Sequence, residues 1–130
     1  VGTLTPPAYI KPINGGTFSS GYGLRDGEMH YGVDWSCSIG TSVKAARDGV
    51  VTRAGWYSGY GYCVDIQHED GSITRYGHNS QITVNEGQQV KQGEQVALSG
   101  STGDSTTPHV HFEIWIDGRR VNPLDYVNKN

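Results

Sequence analysis

The 130-residue sequence lacks several features that define whole classes of protein. It has no apolar run near the roughly 20 residues that a membrane-spanning helix needs, and no segment keeps apolar residues at helical spacing. Its net charge is only -3, whereas a surface that binds nucleic acid is usually strongly basic. Two cysteines are too few for a fold stapled by several disulfides, but the length suffices for one domain with its own core.

Glycine, in contrast, is abundant, with 19 residues scattered along the chain. Together with Asn, Asp and Pro, the glycines bound short runs of β-branched and aromatic residues, which is typical of strands joined by turns. We therefore predict an all-β fold with antiparallel sheets and very little helix. The predicted strands are Gly16–Tyr22, Thr41–Ala45, Gly49–Trp56, Cys63–His68, Ser72–His78, Gln95–Ser99 and Val110–Ile116.

The two ends of the chain differ in their expected organisation. Residues 1–15, which include Pro6, Pro7 and Pro12, predict an extended lead-in, and residues 16–130 predict a single domain. Because the chain begins at Val1 and not at Met, we expect it to be part of a longer protein. Cys37 and Cys63 are compatible with one disulfide in an oxidising setting, and two buried free thiols are the alternative.

A histidine pair near the end of the chain suggests a metal site. In the predicted strand, His109 and His111 are two residues apart and therefore project from the same face. Val110 and Phe112 then point to the opposite, core side. His78 ends another predicted strand beside a loop, where site residues often lie.

A second pattern places His30 four residues before Asp34. Gly32 and the lack of helical periodicity make a helix improbable at this point, so a loop that enters a strand must bring the two side chains together. Imidazole nitrogen and carboxylate oxygen suit Zn²⁺, and three protein ligands leave a fourth position for water. The spacing does not decide which histidines are ligands. His68, which precedes a turn and has no partner pattern, is assigned a structural role.

Three motifs together resemble a known family. They are Met-His-Tyr-Gly-Val-Asp at 29–34, Tyr-Gly-His at 76–78, and Gly-Ser-Thr-Gly-Asp-Ser-Thr-Thr-Pro-His-Val-His-Phe at 100–112. In this order they resemble the lysostaphin/LytM-type zinc metalloendopeptidases, and the resemblance covers about residues 16 to 126. It implies a lysostaphin-type, barrel-sandwich-like fold whose long loops form a substrate groove, and hydrolysis of peptide bonds in bacterial peptidoglycan.

The resemblance also implies roles for individual residues. His30, Asp34 and His111 would bind one Zn²⁺ per chain. His78 and His109 would be catalytic, one as general base and the other as hydrogen-bond donor to the developing oxyanion, in an order left open.

The expected partner is a peptidoglycan peptide, with no nucleic acid and no membrane, and we expect a monomer that is extracellular or cell-wall-associated. A bacteriocin, an autolysin and a phage-encoded lysin all fit. The cleaved bond would lie in the cross-bridge or at the stem-to-bridge junction. Tyr22, Trp56 and Tyr60 are candidate substrate-binding residues, each with an ordinary structural role as the alternative, and the loop Gly55–Gly61 is a candidate groove wall.

Two other readings of the sequence remain. A non-catalytic domain of the same fold could bind or regulate cell-wall hydrolysis. A biotinyl- or lipoyl-type carrier would share the hairpin pattern at Val90–Val96, with Lys91 as its only candidate attachment site. A carrier would not explain the five residues of the candidate metal and catalytic site.

Overall fold

The computed structural model describes residues 8–103, 105 and 107–128, and strands dominate its regular structure. The strands are β1 (Thr17–Ser20), β2 (Gly23–Arg25), β3 (Glu28–His30), β4 (Val33–Ser36), β5 (Ser42–Lys44), β6 (Gly49–Trp56), β7 (Tyr62–Gln67), β8 (Ile73–Ile82), β9 (Gln89–Val90), β10 (Gln95–Ser99), β11 (His109–Ile116) and β12 (Arg119–Val121). Single turns of 3₁₀ helix lie at Ser58–Tyr60 and Pro123–Asp125. Within the described ranges, neither helical turn could span a membrane.

The all-β prediction is confirmed, and the longer strands lie where the sequence pattern places them. β6 and β10 have the predicted bounds, and β8 extends four residues beyond His78 to Ile82. The predicted strand Gly16–Tyr22 is wrong in extent, because β1 ends at Ser20 and a separate strand, β2, begins at Gly23. β3, β4 and β9 have two to four residues, too few to show a recognisable alternation.

Ten strands form one antiparallel sheet, and β2 and β3 form a separate hairpin. The main path through the sheet runs β1-β4-β11-β8-β7-β6-β9, while β12 pairs with β11 and β10 pairs with both β5 and β8. β11 therefore lies between β4 and β8. Its register sets His111 opposite Asp34 on one side and opposite Gly77 on the other.

The core lies against the face of β11 that the sequence predicts. Val110, Phe112 and Ile114 are fully buried. The ring of Phe112 packs against Trp35 and Tyr76, with centroid separations of 6.3 Å and 5.5 Å. Burial of each such side chain contributes roughly 1.5–3 kcal/mol. The opposite face of β11 is therefore left to carry His109, His111 and the acidic and aromatic residues that follow them.

The described part of the predicted lead-in also contributes to this core. Tyr9 and Ile13 are only 4% and 2% exposed, and the Ile10 amide donates to the Ala46 carbonyl at 2.8 Å. Residues 1–7 lie outside the described residues. The boundary at residue 16 stays a prediction, although packing ties residues 8–13 to the sheet.

The predicted disulfide is not formed, because Cys37 and Cys63 are both free thiols. Cys37 follows β4, whereas Cys63 lies in β7, and β11 and β8 separate these strands in the sheet. Neighbouring strands are about 4.8 Å apart, so three spacings exceed the ~5.5–6 Å that separates bridged Cα atoms. Burial, followed by the nearby Asp65 charge, holds the pKa of the Cys63 thiol far above its usual range.

We expect a reducing agent to leave the melting temperature unchanged, because there is no bridge to break. A thiol reagent should modify the half-buried Cys37 in the native protein and Cys63 only after denaturation. Mass spectrometry of labelled peptides and thermal melts with and without dithiothreitol measure both. Loss of a disulfide would cost about 2–4 kcal/mol, so a clear fall in melting temperature on reduction would contradict the free-thiol assignment.

Candidate metal centre and catalytic cleft

Three side chains from three strands meet at the end of β3. Candidate ligand atoms of His30, Asp34 and His111 all lie within 4.8 Å of one another. The β3–β4 connection passes so close to β11 that a Cβ on Gly32 would lie 2.6 Å from the Phe112 carbonyl oxygen and 2.8 Å from Cε1 of His111. Glycine is therefore required at Gly32 by close approach of the backbone, and this approach brings His30 and Asp34 to His111.

Hydrogen bonds orient both histidines of the cluster. Nδ1 of His30 donates to the Gly21 carbonyl at 2.8 Å, which leaves Nε2 facing Asp34 Oδ2 at 3.3 Å. His111 is turned the other way: its Nε2 donates to Glu113 Oε2 at 2.8 Å and its Nδ1 lies 2.7 Å from Asp34 Oδ1. These tautomers follow from the hydrogen-bond network. Each ring thus presents one nitrogen to the cluster and has the other held by the protein.

The electrostatics of the cluster suit a cation. Burial would raise the pKa of Asp34, but hydrogen bonds from His111 and His30 outweigh it and hold that pKa well below its usual range. Burial would lower the pKa of His111, yet hydrogen bonds to Asp34 and Glu113 raise it to about 9. The site therefore stabilises positive charge at the position between the rings, and a bound metal ion would take the place of the Nδ1 proton.

His78 reaches the same cleft through an irregularity in β8. From Tyr76 to Asn79 β8 advances three residues, while β7 advances only two, from Val64 to Tyr62. His78 occupies this bulge with φ at +63°, a left-handed conformation that is uncommon for a residue other than glycine. Bulges re-aim side chains beside functional sites. Nδ1 of His78 donates to the Thr102 carbonyl at 2.7 Å, so Nε2 is the nitrogen left for the cleft.

His109 is oriented in the same way as His78, by hydrogen bonding at Nδ1. Its Nδ1 lies 2.8 Å from the Thr107 carbonyl and 3.1 Å from Ser105 Oγ, and its Nε2 is 3.8 Å from Asp34 Oδ1. The rings of His78 and His109 have centroids 4.7 Å apart. Burial, the largest influence, lowers the pKa of His78, so its imidazole is neutral at pH 7 and can accept a proton at Nε2.

All five residues of the predicted metal and catalytic site, four histidines and Asp34, line one cavity of about 500 Å³. Its further lining comes from Ser105 and from residues 57–60, which are the part of the predicted wall loop Gly55–Gly61 that reaches the cavity. Tyr60 lines the cavity. Tyr22 instead donates its hydroxyl to the Arg120 carbonyl at 3.2 Å, and Trp56 is 61% exposed and packs edge-on against Tyr62. Neither Tyr22 nor Trp56 is among the described residues that line this cavity.

His68 lies outside the cleft and has the structural role predicted for it. Its Nδ1 is 2.9 Å from the Asp48 carbonyl, and its Nε2 is 2.9 Å from Thr74 Oγ1. Both nitrogens are therefore bonded within the fold.

Sequence reasoning missed Glu113, which binds the far nitrogen of His111 and is only 1% exposed. The signal was present, because Glu113 is the next residue on the same face of β11 after His109 and His111. A carboxylate is one of the groups that commonly accept from the second nitrogen of a metal-binding histidine, along with backbone carbonyls and water.

Comparison with known proteins agrees with this geometry. The family described as peptidase family M23 matches residues 28–123. The chain is 40% identical over 121 residues to the DD-carboxypeptidase/endopeptidase Mpg of Neisseria meningitidis serogroup B, a match that covers 88% of this chain and 28% of that protein. It is 38% identical over 120 residues to the murein hydrolase activator EnvC of Escherichia coli K12, covering 91% and 28%.

A solved structure gives the same result for the fold. The catalytic domain of lysostaphin from Staphylococcus simulans aligns with a TM-score of 0.81 at 36% identity, over 85% of this chain and 91% of that domain. By contrast, the chain spans only 28% of the length of Mpg and of EnvC. The match therefore covers only a part of each of these two relatives.

We expect Gly32→Ala to lower the free energy of unfolding by about 1–3 kcal/mol, the range for overpacking, and to weaken Zn²⁺ binding by displacing His111. Gly55→Ala is the matched control, because a Cβ there meets nothing within 4 Å. Urea denaturation and calorimetric titration with Zn²⁺ measure the two effects. Equal behaviour of the two variants would show that the close approach of Gly32 to β11 is not needed.

Proposed function

The chain belongs to peptidase family M23, and we propose that it is a zinc-dependent endopeptidase that hydrolyses peptide bonds in bacterial peptidoglycan. The observation that carries the proposal is the meeting of a His-Asp-His cluster and two further histidines in one cavity. We propose His30, Asp34 and His111 as the ligands of one Zn²⁺ per chain. His78 and His109 are proposed as the catalytic residues.

The donor set fits zinc. Two imidazole nitrogens and one carboxylate oxygen form a three-ligand set of the kind that catalytic zinc sites use, with the remaining position left for water or substrate. When bound, Zn²⁺ lowers the pKa of a water ligand to about 7 and polarises the carbonyl to be attacked. The buried carboxylate of Asp34, ionised at any pH near neutrality, balances part of the metal charge.

The two proposed catalytic histidines would carry out the proton transfers. Each has its Nδ1 hydrogen on a backbone carbonyl, so each presents Nε2 to the cleft. A neutral imidazole held in this way accepts the proton of the attacking water. Once protonated, the same nitrogen becomes a donor, which can stabilise the oxyanion or deliver the proton to the leaving amine. The pair, with ring centroids 4.7 Å apart in one cavity, thus supplies both functions.

The names of the relatives support peptidoglycan as the substrate. Mpg is named a DD-carboxypeptidase/endopeptidase, and a further relative, from Vibrio cholerae, is named the peptidoglycan DD-endopeptidase ShyA. We propose the peptide part of peptidoglycan as the substrate, cut in the cross-bridge or at the stem-to-bridge junction. The protein would then act as a monomer at the cell wall or outside the cell.

A second candidate function comes from EnvC, which is named a murein hydrolase activator and is 38% identical to this chain. A domain that only activates other hydrolases has no need of metal ligands or catalytic histidines. This chain has a full donor cluster and two oriented histidines in the same cavity. That combination favours hydrolysis by the chain itself.

The proposed division of roles predicts different effects of two substitutions two residues apart. His109→Ala should keep Zn²⁺ near one per chain and lower kcat at least about 100-fold, as expected for loss of a general acid-base group. His111→Ala should lose both the metal and the activity. Metal content by inductively coupled plasma mass spectrometry and turnover of a peptide substrate measure these outcomes. Metal loss from His109→Ala with retention in His111→Ala would reverse the assignment.

Purified muropeptides provide the test between hydrolase and activator. We expect the isolated protein with Zn²⁺ to cut them, and the fragment masses to identify the bond. His78→Ala, which leaves the proposed ligands intact, is the control. If the protein cuts nothing alone but stimulates a separate wall hydrolase, and His78→Ala stimulates it equally well, the activator function holds and the endopeptidase proposal fails.

A further inference from the structure

The Glu113 carboxylate lies behind the proposed metal ligand His111 and accepts hydrogen bonds from several side chains. Its Oε2 accepts hydrogen bonds from His111 Nε2 and from the Tyr60 hydroxyl, both at 2.8 Å. Its Oε1 accepts from Trp115 Nε1 at 2.9 Å and lies 3.8 Å from Arg75 Nη1. The side chain is 2% exposed. Because it is almost fully buried, Glu113 has no surface left for contact with substrate.

Tyr60 connects the Glu113 carboxylate to the wall of the cleft. It ends the 3₁₀ turn Ser58–Tyr60, and its ring stacks parallel to Tyr57 with centroids 5.7 Å apart. Residues 57–60 line the same cavity as the histidines. The Tyr60 hydroxyl therefore points inward to Glu113 and not to substrate, so any contact it makes with a peptide is through its ring.

The loop has few other side-chain ties to the site. The Tyr57 hydroxyl has no hydrogen bond to any of the residues that the structure describes, although the Arg53 guanidinium lies 3.7 Å from the Tyr57 ring centroid. At the far end, Gly61 takes φ of +68° and packs against Thr102. Among the described residues of this loop, Tyr60 thus connects the cleft wall to the proposed metal ligand, through its hydroxyl on Glu113 and through its ring, whose centroid lies 5.8 Å from that of His111.

We propose that Tyr60 and Glu113 are positioning residues that couple the loop Tyr57–Gly61 to the metal ligand His111, an inference that rests on the proposed zinc site. The two hydrogen bonds share one carboxylate oxygen. Movement of Tyr60 therefore changes the hydrogen bond on the far nitrogen of His111, and with it the orientation and basicity of Nδ1. Coupling of this kind is reciprocal, so metal binding also holds the loop in place.

The consequence for the reaction is that the loop and the metal ligands become ordered in the same step. A peptide that binds against Tyr57 and Tyr60 stabilises the loop and strengthens the binding of the metal by His111. An ordered wall also excludes water from the cleft, where the catalytic histidines act. Glu113 transmits this effect without contacting the peptide.

The test compares Tyr60→Phe with Tyr57→Phe, which removes a hydroxyl from the same loop but no hydrogen bond to a described residue. We expect Tyr60→Phe to bind Zn²⁺ about tenfold more weakly, at the low end of the range for outer partners of a metal ligand, and Tyr57→Phe to bind as the parent protein does. Glu113→Gln should lose at least as much affinity as Tyr60→Phe. Competition with a chromophoric chelator measures the affinities.

Hydrogen exchange supplies a second readout, independent of activity. Addition of Zn²⁺ should slow amide exchange in residues 57–61 of the parent protein and of Tyr57→Phe, but not of Tyr60→Phe. If Tyr60→Phe matches the parent in affinity and in loop protection, or if both Tyr variants weaken equally, the coupling is overturned while the zinc site stands. A parent protein that binds no Zn²⁺ would overturn the zinc site itself.

Discussion

The antiparallel pairing of β11 with β4 is the constraint on which the site depends. This register sets His111 opposite Asp34, and the close approach of Gly32 to β11 then brings in His30. A slip by one residue would turn His109, His111 and Glu113 into the core and bring Val110 and Phe112 out. The full burial of Phe112 against Trp35 and Tyr76 opposes such a slip. Packing on one face of the strand thus fixes the chemistry on the other.

Backbone carbonyls then orient the rings that the strands bring together. Gly21, Thr102 and Thr107 each accept from the Nδ1 of one histidine, and each of these carbonyls belongs to a loop or turn. His111 is instead oriented by a side-chain carboxylate, that of Glu113. The loops therefore select which nitrogen faces the cleft, so that the tautomers are set before any ligand arrives.

A row of alternating charge crosses the sheet beside the cleft. Arg53 pairs with Asp65, Asp65 takes two hydrogen bonds from Arg75 at 2.8 Å and 3.0 Å, and Arg75 lies beside Glu113. Members of the row are register partners on adjacent strands. Because each charge has an opposite neighbour, the row can lie partly buried under Tyr57 and Tyr60, and it supports the carboxylate that orients His111.

The sequence by itself determined the all-β class, the longer strands, and the identity of the clustered residues. Turn residues and alternation are local signals, and the three motifs resemble a family through the order of their amino acids alone. It did not determine the separation of Cys37 from Cys63, the bulge that turns His78 inward, or the shared carboxylate of Glu113. Those depend on strand order and register, which join residues far apart in the chain. Only the tertiary structure decided them, because no local pattern records which strands become neighbours.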